Sequence, residues 1–209
     1  MGISERKRRE KEGRIRQIQN SAAAVFYSKG YAGATMEEIA EAAELSKATL
    51  YLYYKSKVDI FYSIIEPALS KLGKLLIRIA NDRDEPADAT IKKIIDATYR
   101  MYMKDPEAYH MLSRYNAAQY MKILPKDKLE HLKNIMRSNL RQMEEAVRKG
   151  IEQGIFKKTD PKLTSIVIWN CYMGVIQYQE NRMEPGKSDY RKPTLDAAIG
   201  LLLKGLKRK

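Results

Sequence analysis

Between Thr35 and Lys57 the apolar positions fall into two short runs at helical spacing. Ile39, Ala42 and Ala43 form the first, and Leu50 and Tyr54 the second, with Glu44, Leu45 and Ser46 between them. Thr35 followed three residues later by Glu38 is a capping box, which predicts a helix starting at Met36. Ser46 offers a second cap, so a new helix is expected from Lys47. Leu50 and Tyr54 then face inward, and Lys47, Ala48, Thr49, Tyr51 and Tyr53 face outward. A short helix that displays a cation, a small residue and a hydroxyl in its first turn suits the DNA major groove. The same spacing also fits an ordinary helical hairpin in a larger bundle, with a solvated lysine and buried tyrosines.

The flanking periodicity is helical throughout. Ile15, Ile18, Ala22, Val25 and Phe26 give an upstream helix one apolar face, and Gly30 ends it. Downstream, Ser56 and Asp59 cap a helix expected from Lys57 to about Ala80. Pro67 lies inside it and predicts a kink or a break near Ile64 to Ala68, which is either a hinge or a static bend. Further helices are expected from Asp84–Pro86 to about Lys104, from Asp105 to about Tyr120, from Pro125 to Gly150–Gly154, and from Lys162 to about Arg182. A terminal helix after Pro193 carries Leu195, Ile199, Leu202 and Leu206 on one stripe. No strand pattern or internal repeat competes, so the fold class is all-α.

Phe26, Gly30, Tyr31, Thr35, Ile39, Ala40, Ser46, Thr49, Leu50, Tyr51, Tyr53, Tyr54, Lys55 and Lys57 stand at the spacing of a known pattern. Together they resemble the amino-terminal domain of the tetracycline-repressor (TetR/AcrR) family, over roughly the first quarter of the chain. The resemblance implies a three-helix, helix-turn-helix DNA-binding domain at residues 1–56. A helical effector-binding and dimerisation domain would follow at 57–209, with about nine helices in all. It also implies that Lys47, Ala48 and Thr49 meet base edges, and that Thr35, Tyr51, Tyr53 and Lys57 meet mainly phosphates. Two positions depart from the pattern: Glu44 stands where the turn usually has Gly, and Tyr54 replaces the more usual Phe.

Charge changes this picture less than its size suggests. The 209 residues carry a net +13, but residues 1–60 hold 11 Lys and Arg against 8 Asp and Glu, so +10 lies beyond them. A basic arm, Ser4 to Arg16, contains Arg6, Lys7, Arg8, Arg9, Lys11, Arg14 and Arg16. It follows phosphates or the minor groove, or else is a solvated, frayed terminus. The +10 on the remainder fits an anionic effector such as an acyl thioester, or simply a solvated basic face.

In the resembled family the middle of the chain holds an effector pocket, for which Tyr99, Met103, Met111, Tyr115, Trp169, Tyr172 and Met173 are the candidate lining. Each is equally suited to core packing. The last two long helices are where the family dimerises. The run IVIWNCYMGVI is apolar nearly all round and needs cover on several sides, as a homodimer would supply. A two-fold dimer in turn implies a palindromic DNA operator.

Other classes find little support. His110 and His131, the only histidines, have no carboxylate or cysteine at metal spacing, and no Gly-rich phosphate loop occurs. Neither an enzyme nor a cofactor is expected. One cysteine, Cys171, excludes an internal disulfide. No apolar run reaches membrane-spanning length, and the start is too charged for a signal peptide, so a cytoplasmic protein is expected. The competing class is a ligand-carrying or protein-binding helical bundle that has lost specific DNA binding.

Overall fold

The structure, a computed structural model, describes residues 2–106, 109, 111, 122–181 and 189–208. Eight helices run through the described residues: α1 Ile3–Gly33, α2 Met36–Ala42, α3 Lys47–Tyr53, α4 Lys57–Ala80, α5 Ala87–Lys104, α6 Lys126–Glu152, α7 Pro161–Asn181 and α8 Arg191–Leu206. The only β-type pairing among them is an isolated bridge between Phe156 and Lys207. The helix expected from Asp105 to Tyr120 falls largely outside the described residues. So do Tyr115, His110 and most of the polar loop before α8.

The chain forms two compact units, Met1–Ala68 with Asp105–His131, and Leu69–Lys104 with Leu132–Lys209. In the first, α1 packs on α2 and α2 on α3. Ile18, Ala22 and Phe26 of α1 meet Ile39, Leu50, Ile60 and Phe61 in a core from which water is excluded. Phe26, Phe61 and Tyr31 close that core with ring centroids 5.1 to 5.7 Å apart, in edge and offset geometries that favour the aromatic quadrupoles. Tyr54, expected at the inner face, is only half-buried as the residue that ends α3.

In the second unit α8 lies along α7 and touches α5. Ile91, Ile94, Ile95, Val147, Phe156, Ile168, Tyr172, Leu195 and Ile199 are buried there. The buried stripe of α8 continues through Leu203, while Leu202 and Leu206 are half-buried. Asn139 of α6 is buried as well, and its amide donates to the Leu69 carbonyl at 3.1 Å. Gly73 permits this approach: a Cβ there would lie 2.4 Å from the Asn139 side-chain oxygen.

Two expectations at the ends and middle of helices are revised. The basic arm is helical from Ile3 onward, continuous with α1, because Arg6–Glu10 and Arg8–Glu12 pair one turn apart along it. Of the kink or break expected at Pro67, the break is ruled out, because Pro67 sits inside a continuous α4. Among the described residues no helix is long and apolar enough to cross a membrane.

Candidate nucleic-acid interface

The reading head is built from local signals that satisfy one another. Gly30 takes φ 72°, outside the helical region, and lets the chain leave the main run of α1. Thr35 then caps α2: its hydroxyl accepts from the Glu38 amide at 3.2 Å, and the Glu38 carboxylate accepts from the Thr35 amide at 3.0 Å. Lys29 also bonds Glu38 at 2.6 Å, and this interaction is the main reason that the Glu38 carboxyl is held below its ordinary range.

The turn into α3 is a Schellman motif. The Leu45 amide donates to the Ala40 carbonyl at 2.8 Å and the Glu44 amide to that of Glu41 at 2.9 Å. This geometry puts Glu44 at φ 53°, the left-handed conformation for which the family pattern has glycine. Two α1 side chains take the neighbouring carbonyls: Gln17 bonds Ala43 O at 2.7 Å and Ser21 bonds Ala42 O at 3.0 Å. The turn is thereby locked to α1.

Ser46 caps α3 by accepting from the Thr49 amide at 3.1 Å, and its hydroxyl lies 2.8 Å from that of Thr49. Lys47, Ala48 and Tyr51 are exposed, Thr49 and Tyr53 half-buried, and Leu52 is 83% exposed. Thr35, at the start of α2, is exposed too. The Lys47 ammonium pairs with the Glu37 carboxylate, placing the first turn of α3 beside that of α2. The pairing holds the Glu37 carboxyl below and the Lys47 ammonium above their usual values. Six of the seven expected DNA-facing residues thus stand at the cap of α2 and along α3.

A bacterial regulatory-protein profile, the tetR family, matches residues 18–64, the segment that contains this head. Those residues are a tetR-family regulatory domain. YhgD, an HTH-type transcriptional regulator of Bacillus subtilis (strain 168), is 24% identical over 172 residues, which are 82% of this chain and 87% of that one. Among solved structures, the MbdR regulator from Azoarcus sp. CIB superposes with a TM-score of 0.79 at 21% identity, covering 93% of this chain and all of the other. AibR, crystallised with isovaleryl coenzyme A and operator DNA, has a TM-score of 0.74 at 17% identity over 91% of this chain and 98% of its own. The matched domain and its HTH-type relative support a DNA-binding transcriptional regulator.

The seventh expected DNA-facing residue, Lys57, has a different setting. Its ammonium donates to the carbonyls of Tyr31 and Ala34, each at 2.6 Å, and lies 3.4 Å from that of Ala32. It also stands 4.5 Å from the centroid of the Tyr31 ring. Sequence spacing carries no trace of these partners, nor of the Glu37–Lys47 pair.

The candidate effector residues are dispersed by burial. Tyr99, Met111 and Tyr172 are buried, Trp169 and Met173 half-buried, and Met103 is exposed. Trp169 and Tyr172 stack at 5.5 Å. A separate open cleft of about 640 Å³ in the second unit is lined by Arg83, Arg141, Arg148, Lys149, Glu145 and Glu152, among others, and by none of these candidates.

Proposed function

We propose that this tetR-family regulator is a repressor that binds a palindromic operator as a homodimer and is released by a small-molecule effector. The observation that carries this reading is the head itself. A capped α3 offers Lys47, Ala48 and Tyr51 to solvent, and the turn beneath it is fixed by its own backbone bonds and by Gln17 and Ser21. Lys47 is suited to guanine acceptors, and Ala48 and Thr49 to a thymine methyl, while Thr35, Tyr51 and Tyr53 are suited to phosphates. The exposed cations of the first turns of α1 extend the electrostatic footprint.

Dimerisation is supported by apolar surface left on the last two helices. Leu163, Val167 and Tyr178 of α7 and Leu201 of α8 are exposed, the last of them by 72%. Ala197 and Gly200 flank Leu201 with small side chains that admit a close neighbour. The effector domain is residues 57–209, and Tyr99, Met103, Trp169, Tyr172 and Met173 of the second unit are its candidate pocket lining. An anionic or apolar ligand, such as an acyl thioester, matches the +10 beyond residue 60 and the isovaleryl coenzyme A bound by AibR. The protein works on cytoplasmic DNA. Efficient release needs about 5 kcal/mol of differential affinity between the two states.

Selection of bound duplexes from a random library at two salt concentrations tests the proposal. Recovery of one palindrome that survives the higher salt is the expected result. Recovery of only weak, salt-labile binding would replace the repressor with a helical bundle that no longer reads DNA.

A further inference from the structure

Lys57 opens α4, and its ammonium converges on the peptide that joins α1 to α2. The carbonyls of Tyr31 and Ala34 accept from it at 2.6 Å, with that of Ala32 at 3.4 Å. These groups sit where α1 ends, after the non-helical Gly30, and close before the cap residue Thr35. Carbonyls at a helix end lack internal donors, and a cation there complements both their lone pairs and the negative end of the helix dipole. The Tyr31 ring covers the ammonium from 4.5 Å, and that ring is itself packed on Phe26 and Phe61. Lys57 is half-buried, and burial lowers the pKa of its ammonium.

We infer that Lys57 is a positioning residue, which ties the start of α4 to the end of α1 and so fixes the Thr35 cap and the α2–α3 head, rather than a phosphate ligand. The geometry separates it from Lys47. The Lys47 ammonium has one exposed carboxylate partner that DNA can displace, whereas Lys57 is directed at backbone carbonyls of its own compact unit. Withdrawing it to reach a phosphate would leave the Tyr31 and Ala34 carbonyls without this donor. Hydrogen bonds to a charged group are the stronger class, so the clamp is not given up lightly.

The inference rests on the DNA-binding reading, and its test separates the two. Lys57→Met keeps the aliphatic stem and removes the donor, and Lys57→Arg keeps the charge but cannot converge a planar guanidinium on the same carbonyls. Affinity for the duplex selected by the parent, and for a random duplex of equal length, is measured over a salt series well below the melting temperature. For Lys57→Met the expected result is a loss of about tenfold or more on the selected duplex, little change on the random one, and an unchanged salt slope. Lys57→Arg is expected to lose affinity for the selected duplex as well, and both variants to melt earlier with faster amide exchange at Thr35 and Glu38.

A salt slope shallower by about 0.9 in Lys57→Met, the signature of one fewer neutralised phosphate, with Lys57→Arg binding like the parent, would overturn the inference. Parent-like melting and binding in Lys57→Met would overturn it too. If the parent itself selects no duplex, the DNA-binding reading fails, and melting and exchange at Thr35 decide the clamp alone. Global destabilisation without positioning would leave the ratio of selected to random affinity unmoved at low temperature, and would also count against it.

Discussion

The side-chain amide of Gln19 donates to the Ser63 carbonyl at 3.0 Å, the carbonyl that Pro67 leaves without a helical donor four residues on. Proline has no N–H, so that oxygen would otherwise be an orphan inside the fold. The Gln19 amide also lies 3.2 Å from the Ser63 hydroxyl, which is 3.0 Å from the Tyr54 hydroxyl. A residue of α1 thus completes the hydrogen bonding of α4 and reaches the end of α3. Gln19→Leu should cost about 1–2 kcal/mol by leaving the carbonyl unpaired. In a Pro67→Ala background, where residue 67 supplies its own N–H, the same change should cost less by at least about 0.5 kcal/mol. Urea unfolding of the four proteins in the cycle measures the coupling.

Glu44 holds the left-handed conformation at φ 53° with a side chain that pays a steric penalty there. Glu44→Gly should stabilise the protein by about 1 kcal/mol, since the turn keeps its Schellman bonds and sheds the Cβ clash. A rise of about 2–4 °C in melting temperature is the corresponding reading for a chain of this size.

Thr35→Ala removes one half of the capping box while leaving Glu38 in place. The expected loss is about 1 kcal/mol. Because Thr35 is also proposed to touch a phosphate, affinity for every duplex should fall together, without a change in sequence preference. Lys47→Ala should instead relax the preference at one position of each half-site, as read by repeating the duplex selection.

Arg191, almost wholly buried at the start of α8, is held by both oxygens of Asp189, at 2.9 and 2.7 Å, and by the Tyr102 hydroxyl at 2.5 Å. Asp189→Asn leaves that guanidinium without its charge partner. The expected cost is about 2 kcal/mol, less than for a fully buried pair because the Asp189 side chain is 37% exposed. Hydrogen bonds from Arg191 hold the Asp189 carboxyl below its ordinary value of 3.8. Its contribution is therefore complete above that pH and is lost as the pH falls through the lower folded value. The stability gap between parent and Asp189→Asn should be constant from about pH 5 to 8 and close in stronger acid, as followed by urea unfolding at each pH.

Leu201→Glu places a charge on the exposed apolar face of α8. If that face is the dimer interface, the variant should sediment as a monomer and lose operator affinity by about a hundredfold or more, because two linked heads bind far more tightly than one. Its circular dichroism should remain that of the parent, since the side chain fills no part of the monomer core.

The sequence by itself determined the elements and the head. Thr35 with Glu38, Ser46 with Thr49, and Gly30 act on residues no more than three or four positions away, so their caps and stop are legible without a fold. Helical spacing likewise marked Ile18, Phe26, Ile39 and Leu50 as core. Only the tertiary structure decided what the long polar side chains do. Lys57 reaches Tyr31 O across 26 residues, Gln19 reaches Ser63 across 44, and Lys47 reaches Glu37 across 10. A lysine bonded to backbone carbonyls and a lysine paired with an exposed carboxylate are the same letter at similar exposed-helix spacing. What distinguishes them is which helix end lies within reach of the ammonium, and packing alone sets that. The same reason moved the inner stripe of α8 from Leu202 to Leu203: periodicity gives a face its width, and the neighbouring α7 and α5 choose its centre.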